Sequence, residues 1–317
     1  MKELTVIMPV YNEKEDWVIK SINSILKQSY SNFDFIILLD NPKNEKLKNI
    51  INNFAKSDPR IIFEVNSKNI GLVKTLNKGL KLSKTKYIAR MDADDISCRE
   101  RFREQINFLK RNKDVKLVGT NWVCIDENDD IMFQHNSLPT DFKFIKKNLK
   151  YNNMFLHPSW MFDSEILNVI KGYREVQFAE DYDFISRMIS NNFKVSNINE
   201  FLVKYRVRKN SISISRAYEQ YLSSERVIKY MKERRYGNDS YELEQEFYKN
   251  ISDKERKKYF LATEAFIKSR ERLNEKKYFL FFNEFLKSFF ISRYRFKKNI
   301  NIIIYNLKIK LHNMKNK

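Results

Sequence analysis

The run Leu4-Thr5-Val6-Ile7-Met8-Pro9-Val10, followed at once by Tyr11-Asn12-Glu13, decides how the N-terminal half folds. Apolar residues occupy nearly every position of the run, so it reads as a strand buried on both faces, as in a parallel sheet. Similar apolar runs of strand length recur at residues 33–39, 61–65 and 87–91. Between them lie segments with helical spacing: Val18, Ile22, Ile25 and Leu26; Leu47, Ile50, Ile51 and Phe54; and Val73, Leu76 and Leu80. Asn12 stands where it can cap the first of these helices. Strands alternating with helices predict βαβ units, hence an α/β fold whose mostly parallel sheet is flanked by helices.

Glycine and proline mark where this regime stops. All five prolines and four of the five glycines precede residue 173, and only Gly237 follows. The chain therefore divides into a turn-rich domain over residues 1–210 and a helical region over residues 211–317. Its 317 residues fit about two domains at ~150 residues each. Sixty Lys and Arg against forty Asp and Glu leave a net charge of +20, which points to an anionic partner: nucleic acid, a membrane surface or a phosphorylated small molecule. Cys98 and Cys124 make no disulfide framework or zinc spacing, so a reducing, cytoplasmic setting is expected. The N-terminal residues lack a signal-peptide core, and no apolar run approaches the ~18 residues of a membrane span. An aromatic content of 14% excludes a disordered chain.

In an open parallel sheet, ligands bind beyond the carboxyl ends of the strands. Tyr11, Asn12 and Glu13, then Asp40 and Asn41, then Asn69 and Gly71, then Asp92, Asp94 and Asp95 fall there. One aspartate at a strand end is an ordinary turn former. Acids converging from several strands repel one another unless a cation lies among them. In extended backbone Asp92 and Asp94 point to one side and Asp95 to the other. Two hard oxygen ligands on one face suit Mg²⁺ or Mn²⁺ shared with a substrate diphosphate. Neither a P-loop nor a G-x-G-x-x-G pattern is present. Residues 126–130 resemble a calcium loop, but Ile131 and Ser137 stand where glycine and a bidentate Glu are needed, so a hairpin turn is expected. A second acidic cluster, Glu180-Asp181-Tyr182-Asp183, opens a helix. Asp181 shares a face with Ile185 and Met188, and Asp183 falls with Arg187 and Ser190 on the polar side. The pattern leaves open whether Asp181 serves the helix dipole or acts as a base.

Val6-Ile7-Met8-Pro9-Val10-Tyr11-Asn12-Glu13, Asn69-Ile70-Gly71-Leu72, Ala89-Arg90-Met91-Asp92-Ala93-Asp94-Asp95 and Glu180-Asp181 resemble, in order and spacing, family-2 glycosyltransferases of the GT-A fold. His157-Pro158-Ser159, Lys204-Tyr205-Arg206 and Asn210-Ser211-Ile212-Ser213 resemble the bacterial surface-polysaccharide members. The resemblance covers about residues 3–215. It implies metal-dependent, inverting transfer of a sugar from a nucleoside-diphosphate donor, commonly UDP-linked, to a hydroxyl of a saccharide or lipid-linked saccharide. Pro9, Tyr11, Glu13 and Asp40 would line the base and ribose pocket, with Asn69 in the next loop. Asp92 would touch the nucleotide sugar, Asp94 would hold Mn²⁺ or Mg²⁺, and Asp181 would be the general base. Glu180 and His157 would stand near the acceptor, although a histidine before proline is commonly structural. Relatives often carry His where Arg208 stands; Arg208 cannot ligate a metal but can pair with a phosphate. Asp40-Asn41-Pro42-Lys43 replaces the usual Asp-Asp-Gly-Ser, so only Asp40 carries over.

The C-terminal region is basic and aromatic. After Glu284 there is no acid and nine Lys or Arg follow, while Phe279, Phe282, Leu286, Phe289 and Phe290 recur at helical spacing. Such a helix fits an anionic membrane surface; a helix packing its aromatics on the N-terminal domain fits the same pattern. A nucleic-acid-binding protein would explain the charge but not the acids at the sheet edge, and no such motif is present. A non-catalytic sugar-nucleotide binder leaves the second acidic cluster without a task.

Overall fold

The computed structural model describes residues 2–135, 138–208, 216–238, 241 and 251–315. Ser137, the Asn210-Ser211-Ile212-Ser213 stretch and Lys317 lie outside the described residues. The chain divides into two compact units: Met1–Lys147, Met154–Arg174 and Glu180–Lys209 form one, and Asn148–Asn153, Glu175–Ala179 and Asn210–Lys317 the other.

The first unit begins with β1 (Leu4–Val10), α1 (Glu15–Leu26), β2 (Phe33–Leu39), α2 (Glu45–Ser57), β3 (Ile61–Val65), α3 (Leu72–Leu82) and β4 (Tyr87–Arg90). β1 pairs in parallel with β2 on one side and β4 on the other, and β2 pairs in parallel with β3. All seven residues of β1 are buried, as the unbroken apolar run demands. Leu4, Val6, Met8 and Val10 join Val18, Ile22 and Ile25 of α1 in the core. α3 comes so close to the strands that a Cβ on Gly79 would sit 2.6 Å from the Ile7 side chain, which excludes any larger residue without a shift.

One expectation is corrected at α1. Its cap position is Lys14, which makes no side-chain cap bond. Asn12 instead accepts hydrogen bonds from Asn41 Nδ2 (2.7 Å) and Asn44 Nδ2 (3.3 Å), tying the loop after β1 to the loop after β2. Glu15 and Asp16 in the first turn interact favourably with the helix dipole in its place.

The unit continues through β5 (Ile96–Ser97), α4 (Arg101–Arg111), β6 (Val115–Ile125), β7 (Ile131–His135), α5 (Phe142–Asn148), β8 (Met161–Asp163), α6 (Leu167–Ile170), α7 (Glu180–Ser190) and β9 (Lys194–Arg206). The nine strands among the described residues form one sheet in the order β3-β2-β1-β4-β8-β6-β9-β5, with β7 paired to β6. Beyond β4 the pairing is mixed: β8 runs antiparallel to both β4 and β6, β9 runs parallel to β6, and β5 runs antiparallel to β9. The sheet is thus mixed, its longest ladders being the parallel pairs β1–β2 and β6–β9. β8 is only three residues long, too short to leave a periodic signature. The turn between β6 and β7 is the expected hairpin, with Asp126 Oδ1 accepting the backbone N–H groups of Asn128 and Asp130.

The second unit contains α8 (Ala217–Arg234), α9 (Asp253–Asn274), α10 (Tyr278–Ile291) and α11 (Arg293–Lys315). Ser252 caps α9 through the Glu255 N–H. Tyr218 and Tyr221 of α8 pack on Tyr259 of α9. In α10, Phe285 meets Phe266 and Phe296, and the buried Ser288 hydroxyl donates to the Ala262 carbonyl (2.9 Å) and accepts from Asn299 (3.1 Å). These contacts fix which side of α10 faces its neighbours.

Candidate active site

β4 ends at Arg90, and the following residues turn instead of continuing extended. The expected alternation therefore fails for Asp95. Ligand oxygens of Asp92, Asp94 and Asp95 all lie within 4.8 Å of one another, the one such group of three or more His, Cys, Asp or Glu among the described residues. Asp95 is fully buried; its Oδ1 accepts the Arg206 backbone N–H (2.8 Å), and its buried Oδ2 has no hydrogen-bond partner. Burial raises the Asp95 carboxyl well above the usual range, and the charges of Asp94 and Asp92 add to the shift. Asp94 is pushed up to about 7, first by burial and then by Asp92. Glu13 is also raised, chiefly by burial, and its Oε2 accepts the Tyr11 N–H (2.7 Å).

Three arginines meet this cluster. Arg90 pairs with Asp92; burial is the largest influence and pulls its pKa down, but the charge and hydrogen bond of Asp92, with Tyr173 and Asp95, together turn the net shift upward. Its buried Nε and Nη1 have no hydrogen-bond partner. Arg208 places Nε 2.9 Å from Asp94 Oδ2. Arg206, at the end of β9, is 1% exposed and donates from Nε to the Asp94 carbonyl and from Nη1 to the Asp126 carbonyl, both at 2.8 Å. Its Nη2 pairs with Asp129, and its guanidinium lies over Trp17, 5.0 Å from the ring centroid. Among the ligands of divalent cations, carboxylate oxygens suit Mg²⁺ and Mn²⁺, and a buried Asp95 oxygen without a protein partner fits that donor set.

The loops after β1, β2 and β3 share this edge. Pro9 is buried in β1, and Tyr11 just beyond it is exposed. Asp40 spends both carboxylate oxygens on the next loop: Oδ1 accepts from Asn66 and the Ile70 N–H (2.9 Å each), and Oδ2 accepts the Gly71 N–H (2.8 Å). Asn69 Oδ1 accepts the same Gly71 N–H at 3.0 Å. Gly71, at φ +85°, supplies the left-handed turn that opens α3. Asp40 and Asn69 thus fix the loop after β3 through its backbone.

At α7 the expected faces are reversed for Asp183. It is completely buried, and its Oδ2 accepts from Arg187 Nε (2.7 Å). Arg187 in turn donates to the carbonyls of Ile170 (2.6 Å) and Gly172 (2.8 Å). The pair shares one helix face at i and i+4, and neutralising each other lets that face turn inward. Asp181 is half-buried at the helix start, and its Oδ1 accepts the Tyr182 N–H. Glu180 is raised to about 7 by burial and then by Asp181; the fields of Arg90 and Asp92 also reach it, which sets α7 beside the acidic turn. His157 is buried, with Nε2 2.8 Å from the Tyr173 hydroxyl and its ring against Trp160. Burial, then Arg90, holds the imidazole well below its ordinary pKa.

Sequence reading placed Asp95 at this edge but turned its side chain away, and gave Arg90 and Arg206 no role there. Arg90 and Arg206 stood inside the quoted motifs, yet a charged residue at an inner-strand end was the available signal, since a buried cation needs an acidic partner.

A family model described as "Glycosyl transferase family 2" matches residues 5–169, just over half of the chain. An uncharacterized glycosyltransferase of Methanocaldococcus jannaschii is 39% identical over 227 residues, covering 71% of this chain and 78% of its own. The O-antigen biosynthesis glycosyltransferase WbnJ of Escherichia coli is 31% identical over 211 residues, covering 66% and 81% respectively. Among solved structures, S. aureus TarS in complex with UDP-GlcNAc superposes with a TM-score of 0.58 at 15% identity, over 91% of both chains. The mannosyltransferase PcManGT from Pyrobaculum calidifontis, in complex with GDP-Man and Mn²⁺, gives 0.57 at 16% identity over 72% of this chain and 64% of that one. An acidic turn at the end of the parallel strands, a mixed GT-A sheet and a sequence match over more than half its length agree: this chain belongs to glycosyltransferase family 2.

Proposed function

We propose that this glycosyltransferase is metal-dependent and inverting, moving a sugar from a nucleoside-diphosphate donor to a hydroxyl of a saccharide or lipid-linked saccharide in surface-polysaccharide synthesis. The convergence of Asp92, Asp94 and Asp95 carries the reading. Asp94, with Asp92 and Asp95, would hold Mn²⁺ or Mg²⁺, whose charge stabilises the departing diphosphate. Arg208, now paired with Asp94, offers its guanidinium to the phosphates when the donor binds. Pro9, Tyr11, Glu13 and the loop held by Asp40 and Asn69 enclose the nucleotide. The buried N–H groups of Arg90 without partners offer hydrogen bonds to the sugar.

Transfer then needs a single displacement. The acceptor oxygen bonds to the anomeric carbon as the bond from that carbon to the phosphate oxygen breaks, and the electron pair leaves on the diphosphate. Asp181 takes the hydroxyl proton as the new bond forms, because a sugar hydroxyl is not ionised beforehand. A UDP-linked donor is favoured by the resemblance, and the neighbour holding UDP-GlcNAc supports a nucleotide sugar in this fold. Glu180 is the second candidate base, favoured by its raised carboxyl and its exposure to the fields of Arg90 and Asp92. His157, locked against Tyr173 and Trp160, supports the acceptor side by packing.

Thermal-shift measurements with UDP, GDP, dTDP and CMP sugars, with and without Mn²⁺, test the proposal. One nucleotide should raise the melting temperature only when metal is present, and Asp94→Ala should remove that increment. An unchanged metal-dependent increment in Asp94→Ala would overturn the assignment.

A further inference from the structure

α10 lies in the second unit with one side fixed inward by Ser288 and Phe285. Its other side is uncovered. Phe279 is 84% exposed and Phe290 80%, with Tyr278, Phe282, Leu286 and Phe289 exposed beside them. At 100° per residue these six side chains fall within an arc of about 120°, an unbroken aromatic and leucine stripe ~18 Å long. Soluble surfaces seldom leave so large an apolar patch open. No polar side chain of the stripe itself could hydrogen-bond a specific protein partner, apart from the Tyr278 hydroxyl.

Charge identifies the occupant. Residues 276–315 carry ten Lys or Arg and a single acid, Glu284, which is paired with Lys287 at 2.6 Å. Lys276, Lys277, Lys287, Arg293, Lys310 and Lys315 are exposed. The stripe is too short to cross a hydrocarbon core of ~30 Å, and no described helix is long and apolar enough to cross a membrane. An aromatic face bordered by cations instead matches the plane of a bilayer, where rings enter the headgroup boundary and ammonium groups meet phosphates. We infer that α10 docks its Phe279–Phe290 face in the plane of a bilayer containing anionic phospholipid. Charge complementarity favours this over a second copy of the chain, whose own basic residues 276–315 would repel it.

Flotation of the full chain with vesicles of phosphatidylcholine alone, or with about 30% phosphatidylglycerol, tests the inference. Wild type should partition at least ~10-fold better to the anionic vesicles, and high salt should reduce that preference. Phe279→Ser/Phe290→Ser should lower partitioning by ~10-fold or more, because both rings leave the interface. Both substitutions are at exposed positions; an unchanged circular-dichroism melt and an unchanged nucleotide thermal shift establish that the variant is folded and its donor site intact. Equal flotation of wild type and variant, or no flotation with anionic vesicles, would overturn the inference. So would a dimer in sedimentation that the double variant dissolves, since the stripe would then be covered by a second copy. None of these outcomes bears on the donor chemistry.

Discussion

Replacing Arg206 by Met tests whether the acidic turn is held by the second half of the sheet. The substitution removes two hydrogen bonds to carbonyls, at Asp94 and Asp126, and the ion pair with Asp129, while the Met side chain retains part of the packing on Trp17. The cost is about 3–5 kcal/mol, because the Asp94 and Asp126 carbonyls each lose a charged donor at about 1–3 kcal/mol, while Asp129 keeps Lys20 as a partner. For a folding unit of about 200 residues this corresponds to a melting temperature lower by roughly 6–20 °C. Arg206→Lys keeps the charge but cannot reach all three acceptors at once, so it should fall between wild type and Met. Urea denaturation and scanning calorimetry measure both. Manganese titration followed by nucleotide-dependent stabilisation should show weaker metal response in Arg206→Met, since Asp94 loses the bond that orients its backbone. If both variants melt within about 2 °C of wild type, Arg206 does not brace the turn and the reasoning fails.

Asp181→Asn should keep donor binding while transfer falls by ~100-fold or more, as expected for loss of a general base; Glu180→Gln should lose far less. The reverse ranking in a sugar-transfer assay would reassign the base to Glu180. Arg208→Ala should raise the donor KM about 5- to 30-fold, the effect of a lost charge-assisted hydrogen bond, and should lower the manganese concentration for half-maximal activity by freeing Asp94. An unaltered KM would show that Arg208 does not meet the phosphates. His157 has a folded pKa well below its unfolded value near 6.5, so the unfolded chain gains a proton that the folded one refuses as pH falls below about 6.5. The stability advantage of wild type over His157→Gln should therefore shrink by about 1.4 kcal/mol per pH unit from pH 6.5 downward. Parallel stability curves for the two proteins would mean that His157 is protonated in the fold.

The parallel half was legible because its signals are local. Each strand from β1 to β4 carries its own apolar run and each intervening helix its own stripe, so neighbouring residues alone place Glu13, Asp40 and Asp92 at one edge. What could not be read depends on residues distant in the chain. Arg206 meets Asp94 across 112 positions, and nothing near either residue specifies the other. Asp95 was misdirected because extended geometry was carried past Arg90 into a turn, where side chains no longer alternate. Asp183 looked solvent-facing because Arg187 beside it is charged, but two opposite charges at i and i+4 can be buried together. The antiparallel return of β8 escaped for a simpler reason: three residues contain too little periodicity.

Arg90 enters the acidic turn from β4 and Arg206 from β9, so fixed guanidinium groups on separate strands already oppose part of its negative charge. A loop balanced in this way need not collapse or splay whenever its ligands depart. Under the function proposed above, nucleotide and ion would then be exchanged at each turnover without refolding the carboxylates, leaving the enzyme's idle form nearly the shape of its loaded one.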